Sequence, residues 1–206
     1  MLPTLLKLLM LLFVSYLLGS IPFSHIFPKL KGKDVRSAGT KNIGATNALV
    51  VAGPVIGALA WLGDVGKGFL AVFLAQYFTG SLWVMSLAGV AAVIGHDFSI
   101  FLKFKGGKGV ATTGGCLLAF DFVLTIIILL LWLLMILVTR YFILSTLIML
   151  GIIPILMLVL GQKIEIIVFT LLAFVLALYT HRGDIQRLIS GQELNTAESI
   201  DQYMKK

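Results

Sequence analysis

The chain has 206 residues, of which 59% are hydrophobic and only 12% charged, and a net charge of +7. Its mean hydropathy is +1.06. A soluble domain carries about a quarter charged residues, so this composition excludes a globule covered by water and points to a polytopic membrane protein. At roughly 20 residues per spanning helix, the length leaves room only for short loops, and a single integral-membrane domain over residues 1–206 is expected. The apolar runs are continuous and do not alternate in ten-residue segments, which excludes a closed β-barrel and makes the fold class all-α.

The first span is expected from Thr4 to Phe27, with a kink or break at Pro22. Met1 to Leu18 is followed by no small-residue cleavage pattern, so it reads as a retained first helix. The loop from Lys29 to Asn47 carries Lys29, Lys31, Lys33, Arg36 and Lys41 against Asp34. Basic residues collect in cytoplasmic loops, which puts this loop inside and the N-terminus outside. Residues 48–79 are rich in glycine and contain Gly53-Pro54, so a broken helix is expected there. Asp64 and Lys67 lie three residues apart within it and face each other as an inward-turned pair.

Leu82 to Phe101 returns to the cytoplasm and delivers His96-Asp97. Val110 to Phe120 is a short outward piece, Phe122 to Thr139 comes in, Phe142 to Leu160 goes out and Ile164 to Thr180 comes in. The polar tail from His181 onward is cytoplasmic. The sum is about seven transmembrane helices, although at about 1.5 Å per residue the piece at Val110 is too short for a hydrocarbon core of about 30 Å.

Three polar segments fall on the inner face. The glycine loop, Phe104 to Gly115, combines flexible backbone with fixed charge. Amides of Gly106, Gly107 and Gly109, the Lys105 and Lys108 ammonium groups and the start of the next helix would form a phosphate cradle; taken alone, the motif reads better as a flexible cytoplasmic turn whose lysines set topology. It lacks the G-x-x-x-x-G-K-[ST] spacing of a Walker loop. The segment from Asp34 to Asn47 offers Arg36, a phosphate fork, and the neutral donors Thr40, Asn42, Thr46 and Asn47; Thr46 or Asn47 is also placed to cap a helix beginning at Ala48. After the last span come His181, a candidate general base or a structural residue, and Arg182, Asp184 and Arg187. Arg187 could bind phosphate but reads better as part of a basic helix facing lipid head groups. His96 and Asp97 lead into the glycine loop.

His25, His96 and His181 show no ligand spacing, and Cys116 is the only cysteine, so no metal or cofactor is expected. Basic and aromatic residues do not interleave, so nucleic acid is not an expected partner. The candidate partners are a phosphate-bearing group and membrane lipid. A small anion transporter is the competing class; it is disfavoured because the polar residues cluster at one face.

Leu18-Gly-Ser-Ile-Pro-Phe23, Asn42-Ile-Gly-Ala-Thr-Asn47, Asp64-Val-Gly-Lys-Gly68, Gly95-His96, Phe101 to Thr112 and His181-Arg182 with Ile185, Arg187, Gly191 and Glu193 resemble the bacterial acyl-phosphate:glycerol-3-phosphate acyltransferases, the PlsY family. The resemblance implies a multi-pass enzyme of the bacterial plasma (inner) membrane with its site on the cytoplasmic face. It would move a fatty acyl group from acyl phosphate to glycerol 3-phosphate, giving lysophosphatidate and phosphate, and would be coupled to an enzyme that generates acyl phosphate. It further implies catalytic roles for Thr40, Asn42, Lys108 and His181. Phosphate binding would fall to Arg36, Lys41, Thr46, Asn47, Lys105, Gly106, Gly107, Gly109 and Arg182, with Asp64, Lys67, His96 and Asp184 in support. Three positions depart from the family pattern. Lys41 replaces a glycine in Gly-Ser-Gly-Asn, Val50 an arginine and Asp184 an asparagine, the last placing negative charge among the phosphate ligands. Another acceptor, or hydrolysis of acyl phosphate, is therefore the alternative activity.

Overall fold

The structure, a computed structural model, describes residues 4–204, and every regular element in them is helical. Residues 1–3 of the expected first helix and 205–206 of the tail lie outside the described residues. Helix α1 (Thr4–Ser20) is separated from α2 (Phe23–Leu30) at Ile21-Pro22, and the two form one bent apolar span, Leu5–Leu30. Pro22 has no N–H to continue the helical ladder, which explains the break.

The broken helix expected over residues 48–79 breaks at only one place. Helix α3 (Ala45–Ala52) stops at Gly53, and α4 (Pro54–Thr79) then runs for 26 residues without interruption. Gly53 has φ +92° and ψ 171°, a combination essentially reserved for glycine. Pro54 opens α4, where its missing N–H costs nothing. The glycines beyond it are contact points and leave the helix unbroken. A Cβ on Gly57 would lie 2.4 Å from Leu49 Cβ, because α3 folds back onto α4.

Helix α5 (Leu82–Asp97) leads through a short 3₁₀ turn to α6 (Val110–Phe120). Lipid tails are as apolar as leucine side chains, so these helices cohere by close backbone packing. A Cβ on Gly68 of α4 would sit 2.2 Å from the Thr112 carbonyl oxygen of α6, and one on Gly115 of α6 would sit 1.9 Å from that of Val65. Two mutual glycine notches thus press α4 and α6 backbone to backbone. Helices α1 and α5 meet the same way, through Gly19 at Ala92 and Gly95 at Tyr16.

Helices α7 (Phe122–Thr139), α8 (Phe142–Val159) and α9 (Ile164–Thr180) complete the bundle. The Asp121 side chain caps α7 by accepting the Leu124 N–H at 2.9 Å. Leu130, Leu134, Leu137 and Val138 of α7 stay exposed, as a lipid-facing surface requires. Trp132 of α7 donates to Thr146 of α8 at 3.1 Å, and Ser86 of α5 to the Glu165 carbonyl of α9 at 2.8 Å. Cys116 is buried in the apolar core, with no exposed surface.

Among the described residues, five helices are long and apolar enough to cross a membrane, or six if α9 and α10 (Arg182–Ile189), bent by 66°, form one span. Counting seven requires α6, which has 11 residues. The polar tail holds a helix that was not expected, α11 (Thr196–Met204). Asn195 and Glu198 close its first turn as a reciprocal capping box, each side chain bonding the other's N–H at 2.9 Å. The Thr196 N–H donates to the Arg140 carbonyl at 2.8 Å, tying the tail to the α7–α8 turn.

Candidate active site

A cavity of about 910 Å³ is walled by α3, α4, α6, α7 and α8 and reaches α10 and the tail. One limb is apolar, with Leu118, Leu129, Trp132, Ile143 and Leu150 among its walls. The other end is polar and carries Thr40, Lys41, Asn42, Lys108, His181 and Asp184. The volume falls in the range of small-molecule sites.

The loop ahead of α3 is shaped by one side chain. Asn47 is 1% exposed; its amide nitrogen reaches the carbonyls of Val35 at 2.8 Å, Ala38 at 3.2 Å and Asn42 at 2.9 Å, and its oxygen accepts the Thr40 N–H at 2.9 Å. This corrects the expected capping role: α3 starts at Ala45, and its N-cap is Gly44, with no side-chain cap bond. Asn47 closes the loop and turns Thr40, Lys41, Asn42 and Thr46 toward the cavity. Lys41 sits at φ +59°, two residues after Gly39 at +60°, so the tight turn is made with a side chain in a left-handed position.

Arg36 is a second correction. Its guanidinium forks onto Asp34, with Nη2 to Oδ2 at 2.8 Å and Nε to Oδ1 at 3.0 Å, in an exposed pair away from the cavity wall. Hydrogen bonds from Arg36 hold the Asp34 carboxyl well below the usual carboxylate range. The signal was legible, because Asp34 stands two residues earlier.

The glycine loop differs from a cradle of loop amides. The Gly106 and Gly107 N–H groups donate to the Asp97 and His96 carbonyls, each at 3.0 Å, and so clip the loop to the end of α5. Neither glycine lines the cavity, and nor does exposed Lys105. A Cβ on Gly107 would lie 2.1 Å from His96 Nε2, so the close approach itself requires glycine. Lys108, Gly109, Val110 and Ala111 do reach the wall, at the start of α6. The first N–H groups of a helix have no partner within it, so the anion-attracting element here is the N-terminus of α6 with Lys108.

Beneath this end lies a buried polar cluster. Lys67 Nζ stands 2.8 Å from Asp64 Oδ1 and donates to the Ile21 carbonyl at 2.8 Å. Ser24 donates to the other Asp64 oxygen, and His96 Nδ1 lies 3.6 Å from Asp64 Oδ1. Asp64 and His96 show at the cavity wall, while Lys67 is behind it. Asp97 is buried outside the wall, its Oδ1 3.0 Å from where a Gly109 Cβ would stand.

His181, 2% exposed, terminates α9. Its Nδ1 is 2.8 Å from the Ala177 carbonyl and therefore carries the ring proton, which leaves Nε2 as an acceptor. Burial first, and then the nearby Lys108 charge, lowers its pKa below the ordinary 6.5, so the ring is neutral near pH 7. Arg182 stacks on Tyr179, its guanidinium carbon 4.5 Å from the ring centre. Asp184 is held by both Lys108 and Arg187, and Arg187 Nε bonds Glu193 at 2.8 Å. Arg187, read from the sequence as lipid-facing in preference to phosphate-binding, lies at i+3 from Asp184, and Glu193 was given no role there. Both line the cavity.

A phosphate-attracting helix end, a neutral histidine and a greasy limb in one cavity can be compared with known proteins. The family profile described as glycerol-3-phosphate acyltransferase matches residues 9–191. The chain belongs to the glycerol-3-phosphate acyltransferase family. The glycerol-3-phosphate acyltransferase of Thermotoga petrophila is 44% identical over 182 residues, 87% of this chain and 92% of its own. Glycerol-3-phosphate acyltransferase 2 of Thermotoga maritima is 42% identical over 181 residues, with the same coverage. The crystal structure of PlsY (YgiH), an integral membrane glycerol 3-phosphate acyltransferase, in its glycerol 3-phosphate form superposes with TM-score 0.86 at 35% identity. The match covers 92% of this chain and 95% of that one. Its lysophosphatidic acid form gives TM-score 0.86 at 33% identity, over 94% and 98%. This chain is thus a multi-pass membrane acyltransferase. Helix α11 lies beyond the part matched by the family profile.

Proposed function

We propose that this acyltransferase transfers a fatty acyl group from acyl phosphate to glycerol 3-phosphate, releasing phosphate and 1-acylglycerol 3-phosphate. The observation that carries the reading is the single cavity that joins the Lys108 and His181 end to an apolar limb between α6, α7 and α8. The acyl tail occupies that limb and both phosphates sit at the polar end. The glycerol hydroxyl attacks the carbonyl carbon of the mixed anhydride. The resulting tetrahedral oxyanion is stabilised by Lys108 and the first-turn amides of α6. Collapse breaks the carbon–oxygen bond to phosphate, which leaves as the anion. The hydroxyl proton passes to His181 Nε2 or to a substrate phosphate oxygen. Thr40, Asn42, Thr46, Lys41 and Arg182 bind and orient the head groups, and much of the rate comes from that positioning. Asp64, Lys67 and His96 hold the floor beneath them.

The polar segments that meet at the cavity, residues 34–47, 103–109 and 181–199, include the most basic loops, which favours a site on the cytoplasmic side of the bacterial inner membrane. The donor would arrive there from an enzyme that makes acyl phosphate. Purified protein given acyl phosphate with and without glycerol 3-phosphate tests the reading. Phosphate release that depends on the acceptor, with labelled lysophosphatidate formed, is the expected result. Equal release without acceptor would make the chain a hydrolase. Lys108→Ala is expected to cut turnover about 10²–10³-fold while the protein stays folded.

A further inference from the structure

We propose that Asp184 is a built-in occupant of the phosphate seat and a determinant of how tightly this enzyme holds a phosphate-bearing acceptor. The inference rests on the acyltransferase reading above.

Asp184 is 5% exposed and stands in the first turn of α10, at the cavity wall. One of its oxygens accepts from Lys108 Nζ and the other from an Arg187 guanidinium nitrogen. The second face of Arg187 is taken by Glu193. Two cations and two carboxylates therefore form a linear alternating chain, Lys108–Asp184–Arg187–Glu193, with no net charge. A carboxylate bound on both oxygens by two convergent cations has the geometry in which a phosphate monoester would be held. The seat is formed by the protein and filled by the protein.

A phosphate dianion that enters beside Lys108 meets the Asp184 charge at close range. To bind, it must displace the carboxylate from Lys108, and binding is weakened by the interaction it replaces. Asp184→Asn keeps the shape and one acceptor oxygen while removing the competing charge. Loss of a like charge a few ångströms away, in a partly buried site, corresponds to about tenfold in affinity or more. The effect belongs to binding, so it falls on KM and leaves the saturated rate largely alone.

The test compares wild type with Asp184→Asn in detergent micelles, measuring KM and kcat for glycerol 3-phosphate, inhibition by inorganic phosphate, and phosphate binding by calorimetry. The expected result is a KM for glycerol 3-phosphate and an inhibition constant for phosphate each lowered about tenfold, with kcat changed less than about threefold. A purely structural Asp184, whose task is to position Lys108, would instead lower kcat and leave or raise KM, and that result overturns the proposal. Asp184→Ser gives the same test if the asparagine variant does not fold. Absence of transfer by folded wild type would overturn the acyltransferase reading instead. Calorimetry would still decide the seat, because phosphate binding no tighter in the variant refutes it.

Discussion

Replacing Lys67 by methionine tests the cluster beneath the site. The substitution keeps an unbranched chain only one atom shorter and removes its charge. The Lys67 and Asp64 side chains are 2% and 1% exposed and stand 2.8 Å apart, so little water can replace the lost partner. Asp64 keeps the Ser24 hydroxyl and His96 but has no cation in contact. Breaking a buried pair by removing one member costs about 3–5 kcal/mol. At about 2–4 °C per kcal/mol for a chain of this size, the melting temperature should fall by roughly 6–20 °C. Cys116 is the only cysteine and is wholly buried, so a thiol-reactive dye that fluoresces on coupling reports unfolding in detergent directly. The double variant Asp64→Asn/Lys67→Met, which removes both charges, should recover most of the loss. A fall of less than about 3 °C for Lys67→Met (about 1 kcal/mol), or a double variant no more stable than the single one, would refute the argument from an uncompensated charge.

The α4–α6 contact predicts opposite outcomes for adjacent glycines. Gly115→Ala places a methyl 1.9 Å from the Val65 carbonyl and should cost about 1–3 kcal/mol, whereas Gly114→Ala enters open space and should be neutral or stabilising by about 0.5–1 kcal/mol in the same dye assay. Arg36→Ala should leave both the acceptor KM and the unfolding midpoint unchanged, since its exposed partner is Asp34 and solvent screens such a pair. The neutral form of His181 persists below its ordinary pKa of 6.5. The acid limb of kcat/KM for transfer should therefore lie below pH 6.5 and vanish in His181→Ala. Because the unfolded chain takes up a proton that folded His181 refuses, stability should decline as pH falls below about 6.5.

Much of this architecture is legible in the sequence because its causes are local. Pro22 and Gly53-Pro54 mark the breaks that are found, and the i,i+3 spacing of Asp64 and Lys67 yields the buried pair. The bounds at Val110–Phe120, Phe122–Thr139 and Ile164–Thr180 follow from flanking polar or turn residues. What escapes the sequence is the destination of polar groups across space. Composition makes Gly106 and Gly107 candidates for an anion nest, but their N–H groups face the α5 carbonyls, a choice fixed by tertiary packing. The same holds for Asn47, whose partners are spread over residues 35–42. Arg36 and α11 are different, because Asp34 and the Asn195–Glu198 box were there to be read.

Asn47 has a consequence for how specificity can drift in this lineage. One amide fastens the loop from behind, leaving the side chains on its front only the long contact of the Asn42 N–H with Thr40 Oγ1 at 3.4 Å. Lys41 on that loop and Val50 on the adjoining α3 both line the cavity. Substitutions there can retune which head group is welcomed without risking the scaffold, whereas a change at Asn47 would forfeit loop and ligand preference together.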